Sequence, residues 1–229
     1  MILWPIAASA AAAAGFAWAA VHPRSQIFGP VVHRTADPRT LALTFDDGPN
    51  PGVTPALLDL LARHNVCATF FLIGRYVSKQ PAIAADIVRA GHLLGNHTHT
   101  HQNLTWLPSQ RIRGELDACR SVIGESAGVE TRWVRPPWGF RGPQFDGVVR
   151  SGGFGRVAMW SRLAWDWHPQ PPGRLIERLG RVRGGEIVLL HDGDWQQPRG
   201  DRAHVVAALQ HWLPRWLDAG QKFVTLDEL

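Results

Sequence analysis

Short apolar runs and helix-like patterns alternate along this chain from about residue 39 to its last residue. The apolar runs are typical of strands and occupy residues 41–45, 67–73, 93–96, 132–135, 155–160, 187–190 and 222–226. The helix-like patterns between them occupy residues 55–64, 81–90, 109–126, 144–151, 174–183 and 203–219, and Thr54 is the expected N-cap of the first. Because parallel strands need long crossover connections, this alternation predicts one α/β domain with about seven parallel strands. Both a barrel and an open doubly wound sheet fit the pattern.

The composition excludes several classes of protein. Hydrophobic residues make up 45% of the 229 residues, which excludes a chain that is disordered over most of its length. The net charge is +5 and the arginines are scattered, so the sequence predicts no nucleic-acid partner. A modest positive charge instead favours contact with an anionic polymer or membrane surface. The two cysteines, Cys67 and Cys119, are too few for a disulfide scaffold.

An uncharged run of 20 residues, Ile2–Val21, precedes the alternating region. At about 1.5 Å per residue, a helix of this length can span a hydrocarbon layer of about 30 Å. A retained membrane anchor is favoured over a signal peptide cut after residues 17–19, because no Lys or Arg precedes the run. A buried helix of the domain is a third alternative. The predicted organisation is an anchor or signal segment at 1–22, a linker at 23–39 and one domain at 40–229.

Polar and aromatic side chains follow five of the predicted strands. In parallel α/β folds, functional sites lie at the carboxyl ends of the strands. The residues at these ends are Asp46, Asp47, His97, His101, Arg135, Trp165, Asp166, Trp167, His191 and Asp192. We therefore expect a common site that collects side chains from distant parts of the sequence.

Two of these groups have the composition of a metal site. Asp46 and Asp47 are adjacent carboxylates before a Gly-Pro turn, and like charges this close favour a cation between them. His97 and His101 have the i, i+4 spacing that places two imidazoles on one side of a helical turn, and two imidazoles with one carboxylate make a three-ligand site with one open position. A solvated Asp-Asp-Gly turn and a surface histidine cluster are the alternatives. A zinc-protease motif is excluded, because residue 98 is threonine where that motif needs glutamate.

Five segments together resemble the motifs of one protein family. They are Thr44-Phe45-Asp46-Asp47-Gly48-Pro49, His97-Thr98-His99-Thr100-His101, Arg135-Pro136-Pro137-Trp138-Gly139, Asp166-Trp167 and Leu190-His191-Asp192. In this order they resemble the polysaccharide deacetylases with a NodB homology domain, which form carbohydrate esterase family 4. The resemblance covers residues 40–229 and implies a distorted (β/α) barrel of about seven parallel strands, preceded here by one N-terminal apolar helix.

The resemblance implies a hydrolase that removes acetyl groups from N-acetylglucosamine-type residues and releases acetate. Asp47, His97 and His101 would hold a divalent metal, with zinc favoured over cobalt or another divalent cation. Asp46 would be the general base toward the attacking water. Arg135 would orient Asp46 and balance its charge through a bidentate contact, for which the planar guanidinium is suited.

The remaining motif residues would act on the leaving group and the sugar. His191 would be the general acid that protonates the departing amine, and Asp166 would fix its tautomer and raise its pKa. The backbone N–H of Trp138 would stabilise the oxyanion together with the metal. Trp138, Trp165, Trp167 and Trp195 are also expected to stack on sugar rings. Plain core packing is the alternative, and it applies to Trp167 as much as sugar binding does.

The expected partners are an N-acetylated envelope or extracellular glycan and, through the N-terminal run, a membrane; we expect a monomer. The family resemblance implies a domain that faces the periplasm or exterior, or is secreted after cleavage. Arg24, Arg34 and Arg39 after the run favour a cytoplasmic domain instead, under the positive-inside tendency. Two other functions stay open at this point: a deacylase or deformylase of a lipid-linked sugar, and a non-catalytic glycan-binding module on the same fold.

Overall fold

The computed structural model describes the backbone of residues 3–229 and the side chains of residues 11–229. Over this range the chain forms one sheet of eight strands whose pairings are all parallel. The strands are β1 (Thr40–Gly48), β2 (Thr69–Leu72), β3 (Leu93–Asn96), β4 (Trp133–Val134), β5 (Arg156–Val157), β6 (Arg162–Leu163), β7 (Glu186–His191) and β8 (Lys222–Phe223). Their order is β5-β4-β3-β2-β1-β7-β6, and β8 pairs with the start of β1.

Helices follow most of the strands and return the chain from the carboxyl ends of the strands to the amino ends, where the next strand begins. They are α1 (Leu3–Val21), α2 (Thr54–Arg63), α3 (Gly74–Val77), α4 (Pro81–Arg89), α5 (Ser109–Ala127), α6 (Phe145–Ser151), α7 (Pro172–Leu179) and α8 (Ala203–Asp218), with 3₁₀ turns at Pro137–Gly139 and Leu226–Glu228. Proline stands in the first turn of α2, α4 and α7, where its missing N–H leaves no intrahelical bond unmade. Gly128 ends α5 with a left-handed backbone (φ 70°).

The central strand β1 is covered on both faces. Every residue from Leu41 to Gly48 is buried, so the strand lacks the alternation of buried and exposed residues that a half-exposed strand has. Phe45 stacks on Phe70 of β2 with ring centroids 4.9 Å apart. The largest core cluster joins these side chains to leucines and valines of α2, α7 and α8. Packing on both faces holds β1 in place and so positions its carboxyl end, where the two aspartates lie.

The fold confirms the predicted distorted barrel of parallel strands. β5 and β6 are the two ends of the sheet, and the segment before β1 connects the residue after β5 to β7, the neighbour of β6. Val32 pairs with Ala158 after β5, and Arg34 pairs with Glu186 of β7. Part of the predicted linker at 23–39 is thus bonded to the sheet, while the division into 1–22, 23–39 and 40–229 stays a prediction.

The predicted anchor corresponds to α1. Residues 1 and 2 of the predicted anchor lie outside the described part of the chain, as do the side chains of residues 3–10. Among the described residues, no helix combines the length and the apolar character that crossing a membrane requires. At its other end the helix packs on the domain, since Ala19 and Ala20 are buried.

Three local predictions differ from the structure. The strand expected at 155–160 is shorter, and Arg162–Leu163 forms a separate strand, β6, beside β7. The four-residue helix α3 is absent from the predicted elements, because one helical turn has no measurable period. Thr54, predicted as the N-cap of α2, is its first residue, and Val53 is the N-cap. The Thr54 hydroxyl is instead engaged with Asn50 and Asp192.

Candidate active site

The two adjacent aspartates lie at the carboxyl end of β1. Asp46 pairs with His191 of β7, while Asp47 has a left-handed backbone (φ 71°) where the register between β1 and β2 shifts. In a regular strand the two side chains would face opposite sides of the sheet. Here both approach the same imidazole: His97 Nε2 lies 3.7 Å from Asp46 Oδ2 and 3.5 Å from Asp47 Oδ1.

Asp47, His97 and His101 form a buried cluster. Asp47 Oδ1 lies 3.1 Å from His101 Nε2, and one ligand atom from each of the three residues lies within 4.8 Å of the others. Burial alone would raise the pKa of Asp47, but the close imidazoles of His101 and His97 outweigh it and hold the pKa well below its ordinary value. Burial lowers the pKa of His101, which favours the neutral imidazole that binds a metal.

The geometry of this cluster fits a divalent cation such as zinc. Ligands at about 2.0–2.1 Å in a tetrahedron lie roughly 3.3 Å apart, close to the two separations between Asp47 Oδ1 and the imidazoles. Among the described residues, Asp47 Oδ1 is buried without a well-directed hydrogen bond. His97 Nδ1 lies 2.7 Å from the Arg135 carbonyl oxygen; donation to that oxygen leaves the Nε2 lone pair facing Asp47.

Arg135 contacts Asp46 through one nitrogen. Its Nη1 donates to Asp46 Oδ1 at 2.7 Å and also to the Thr44 hydroxyl at 2.9 Å. The predicted bidentate contact is wrong, because Nε donates to the Ala158 carbonyl and Nη2 to the Met159 carbonyl. Burial lowers the pKa of Arg135, and the charge of Asp46 opposes that shift. The guanidinium therefore fixes one oxygen of Asp46 and leaves the other, Oδ2, directed at the cluster.

His191 and Asp166 form a second pair, and His191 lies beside Asp46 in the neighbouring strand β7. His191 Nδ1 lies 2.9 Å from Asp166 Oδ1, and the His191 backbone N–H donates to Asp166 Oδ2 at 2.7 Å. Burial alone would lower the pKa of His191, but the charge and hydrogen bond of Asp166 outweigh it and raise the pKa to about 9. The imidazole is therefore protonated at neutral pH and can act as an acid.

The predicted sugar-stacking tryptophans fall into two groups. Trp138 packs edge-on against His101 with centroids 4.4 Å apart, and Trp195 lies flat on the same imidazole at 5.3 Å. Trp165 contacts Trp167 at 4.9 Å, and Trp167 stands edge-on to His191 at 6.1 Å. Trp138 is 40% exposed and Trp165 57% exposed, so both have surface available for a ligand. The site is thus edged by aromatic rings on the histidine-cluster side and on the acid side.

Two residues around the site make buried contacts that the sequence did not predict. Asp192 is buried behind Gly48, where it accepts a hydrogen bond from Thr54, and burial raises its pKa to about 7. Its place beside His191 was the available signal. Arg141 is fully buried two residues after Gly139. Nothing distinguished it from the other scattered arginines, because its partners come from the far end of the sequence.

Comparison with known proteins gives a consistent result. Residues 33–156 match the family described as polysaccharide deacetylase. The chain is 34% identical to a chitooligosaccharide deacetylase of Azorhizobium caulinodans, over 82% of this chain and 93% of that protein. It is 33% identical to a peptidoglycan-N-acetylglucosamine deacetylase of Bacillus cereus, over 83% of this chain and 88% of that protein.

Solved structures share the fold. The Bc1960 peptidoglycan N-acetylglucosamine deacetylase superimposes with a TM-score of 0.79 at 31% identity, covering 86% of this chain and 90% of that chain. BA3943 from Bacillus anthracis, described as a CE4 family pseudoenzyme, superimposes with a TM-score of 0.78 at 28% identity, covering 87% of this chain and 68% of that chain. The motif order, the fold and these matches agree, and the chain belongs to the polysaccharide deacetylase family.

Proposed function

We propose that this protein is a metal-dependent deacetylase that hydrolyses the N-acetyl groups of N-acetylglucosamine-type residues in an envelope or extracellular polysaccharide. One observation carries the proposal: the buried Asp47–His97–His101 cluster has a second carboxylate, Asp46, beside it, and Arg135 holds that carboxylate. The relatives named as chitooligosaccharide and peptidoglycan-N-acetylglucosamine deacetylases support the substrate class.

The cluster and the free carboxylate have separate tasks. A divalent cation held by Asp47, His97 and His101 would supply a Lewis acid for the acetyl carbonyl and would acidify water. Asp46 Oδ2 would accept the proton of the attacking water, and Oδ1 is kept from turning away by Arg135 Nη1 at 2.7 Å. The fixed orientation matters because a general base must lie within hydrogen-bond reach of the proton that it takes.

His191 serves the second half of the reaction. The C–N bond of an amide breaks only when the leaving nitrogen receives a proton, and His191, which pairs with Asp46 across β1 and β7, is protonated at neutral pH. Asp166 fixes Nδ1, so Nε2 carries the proton to be transferred. The backbone N–H of Trp138 is the proposed donor to the oxyanion.

The first experiment separates metal binding from proton transfer. We expect Asp46→Asn to keep the metal and the fold but to lose turnover by roughly 10²–10⁴-fold, the usual contribution of a general base. Asp47→Ala, the neighbouring matched change, should lose both the metal and the activity. Metal content, thermal unfolding and acetate release are measured for each variant, with peptidoglycan, chitin oligomers, poly-N-acetylglucosamine and acetylated xylan as substrates.

The outcomes distinguish the alternatives. Full deacetylase activity in Asp46→Asn would refute the assignment of the base. A wild-type protein that binds these glycans and metal but releases no acetate from any of them would be a glycan-binding module. The structural neighbour BA3943, described as a pseudoenzyme, is an example of this fold without the activity. Activity restricted to a lipid-linked sugar would replace the polymer in the proposal.

A further inference from the structure

The side chain of Arg141 joins two segments that are more than 100 residues apart in sequence. Its Nη1 donates to the Gly139 carbonyl at 3.0 Å, and its Nη2 donates to the carbonyls of His22 at 3.1 Å and Ser25 at 2.7 Å. Its backbone N–H donates to the Ala20 carbonyl at 3.1 Å. One residue thus binds the Pro137–Gly139 turn to the end of α1 and the segment after it.

This arrangement is unusual for a buried cation. The side chain is fully buried, and none of the ion pairs within the described residues involves Arg141. Burial lowers its pKa to about 10, so the guanidinium is still charged at neutral pH. A buried charge is costly unless hydrogen bonds compensate it. Here backbone carbonyls accept from Nη1 and Nη2, while Nε has no partner within the described residues. Separation of the two segments would therefore remove the main acceptors of a buried charge.

The turn that Arg141 holds is strained and touches the candidate metal site. Trp138 has a left-handed backbone (φ 54°), which is unfavourable for a residue with a side chain. Gly139 also has a positive φ, and a Cβ there would collide with Met159 and Trp160. The ring of Trp138 packs on His101, so movement of the turn would alter both the proposed oxyanion donor and the support of a cluster histidine.

The end of α1 packs on the same side of the domain, next to the Pro137–Gly139 turn. Ala19 and Ala20 are buried, and Phe16 stacks on Trp106 with centroids 5.0 Å apart and planes at 14°. Trp106 lies in the loop between His101 and α5, so α1 contacts the loops that follow both β3 and β4. The helix therefore contacts both of the loops that contain His101 and Trp138.

We propose that Arg141 is a positioning residue: it couples the docked end of α1 to the Pro137–Gly139 turn and so holds the Trp138 N–H in place for deacetylation. The catalytic part of this inference rests on the proposed function, whereas the mechanical coupling does not. The end of α1 is then part of the active-site support, and displacing it slows the reaction without any change to a residue that touches substrate.

A matched pair of helix substitutions tests the coupling in the full-length chain. Ala20→Leu adds volume at the buried contact and pushes the helix away from the turn, whereas Ala17→Leu adds the same volume at an exposed position one turn earlier. Hydrogen exchange reports the turn directly, because the Gly139 N–H donates to Pro136 and the Arg141 N–H to Ala20. We expect both amides to exchange at least roughly 10-fold faster in Ala20→Leu and at the wild-type rate in Ala17→Leu.

Kinetics then connect the coupling to the reaction. With an acetylated substrate we expect kcat to fall roughly 10–100-fold in Ala20→Leu and in Arg141→Lys, with KM changed much less, since an oxyanion donor acts on the transition state. Lysine keeps the charge of Arg141 but cannot reach three carbonyls as a planar fork does. Ala17→Leu should match the wild type in both parameters.

The results separate this inference from the proposed function. Wild-type exchange rates at Gly139 and Arg141 in Ala20→Leu would overturn the coupling, whatever the activity. Faster exchange with an unchanged kcat would overturn the positioning role. A wild-type protein that releases no acetate would refute the proposed function, and the exchange rates would still decide the coupling. If Arg141→Lys does not fold, as circular dichroism would show, the Ala20→Leu and Ala17→Leu pair decides both points.

Discussion

Backbone strain in this protein is concentrated at the site. Six residues other than glycine have a left-handed backbone in the described part of the chain, and five of them belong to the site or touch it: Asp47, Thr98, His101, Trp138 and Trp165. Such conformations cost of order 1–3 kcal/mol each and persist where the surrounding structure over-determines them. At Asp47 and Trp138 the unusual backbone directs a carboxylate and a peptide N–H away from the positions that a regular element would give them.

The His191–Asp166 pair predicts how activity depends on pH. Asp166 raises the pKa of His191, so the imidazole is protonated at neutral pH and loses its proton only as the pH rises through about 9. In Asp166→Asn the raising charge is gone, and the alkaline limb of kcat/KM should move to lower pH by roughly 1–3 units. A pH–rate profile of both proteins measures the shift. An alkaline limb that stays in place in Asp166→Asn would show that His191 is not the acid that the profile reports.

At the scale of elements, the carboxyl ends of strands and the loops that follow them assemble the site. β1 contributes Asp46 and Asp47, the loop after β3 contributes His97 and His101, and β7 contributes His191. Arg135 and Asp166 follow β4 and β6, which are only two residues long, so packing more than strand pairing holds these two residues. The approach to β3 shows how such packing uses a buried histidine.

His92 precedes β3 and predicts a loss of stability in acid. Its Nδ1 accepts a hydrogen bond from the Ala68 N–H, and burial lowers its pKa to about 4 from the ordinary 6.5. Protonation is therefore easier in the unfolded chain, so this contribution to stability is complete above pH 6.5 and is lost as the pH falls toward 4. The loss is about 2 kcal/mol between pH 7.5 and 5.0.

The substitution His92→Asn isolates this effect, because the amide oxygen can accept the same N–H but does not titrate. Urea unfolding at pH 7.5 and 5.0 should show a smaller acid-side loss of free energy in the variant than in the wild type. Equal losses in the two proteins would mean that His92 is not a source of the acid sensitivity.

For the molecule as a whole, a cation at the cluster would link distant parts of the chain. Asp47 and His97 are 50 positions apart in sequence, so only the folded state brings the ligands together. An ion present at about 100 times its Kd adds about 2.7 kcal/mol, or roughly 5–10 °C in Tm for a domain of this size. Melting with and without a chelator measures the difference. Asp47→Ala should show none, and a wild-type Tm that is the same under both conditions would contradict binding at this cluster.

The placement of the domain relative to the membrane is a proposal at the same scale. We propose that the uncharged run Ile2–Val21 anchors the protein. We also propose that the domain lies outside the cytoplasmic membrane, as the family resemblance implies. A reporter that is active only in the periplasm, fused after Leu229, should then be active. A silent fusion together with an active cytoplasmic reporter would place the domain inside, as Arg24, Arg34 and Arg39 would favour.

The sequence by itself determined the class of fold and most of the site. Alternation of strand and helix patterns gives a parallel sheet, and parallel strands place their carboxyl ends at one edge, so Asp46, Asp47, His97, Arg135 and His191 could be grouped before any coordinates were known. These predictions succeed because they depend on local periodicity and on a general rule of chain topology. Their order along the chain also pointed to the family, which the comparisons confirm.

Only the tertiary structure decided which contacts the side chains make. The single-nitrogen contact of Arg135 with Asp46 depends on carbonyls of residues 158 and 159 that occupy its other donors. The role of Arg141 depends on the end of α1, more than 100 residues earlier in the chain. A pattern in sequence reports periodicity within one element, whereas the acceptors of a buried guanidinium are set by how separate elements pack. That packing lies beyond what local periodicity can encode.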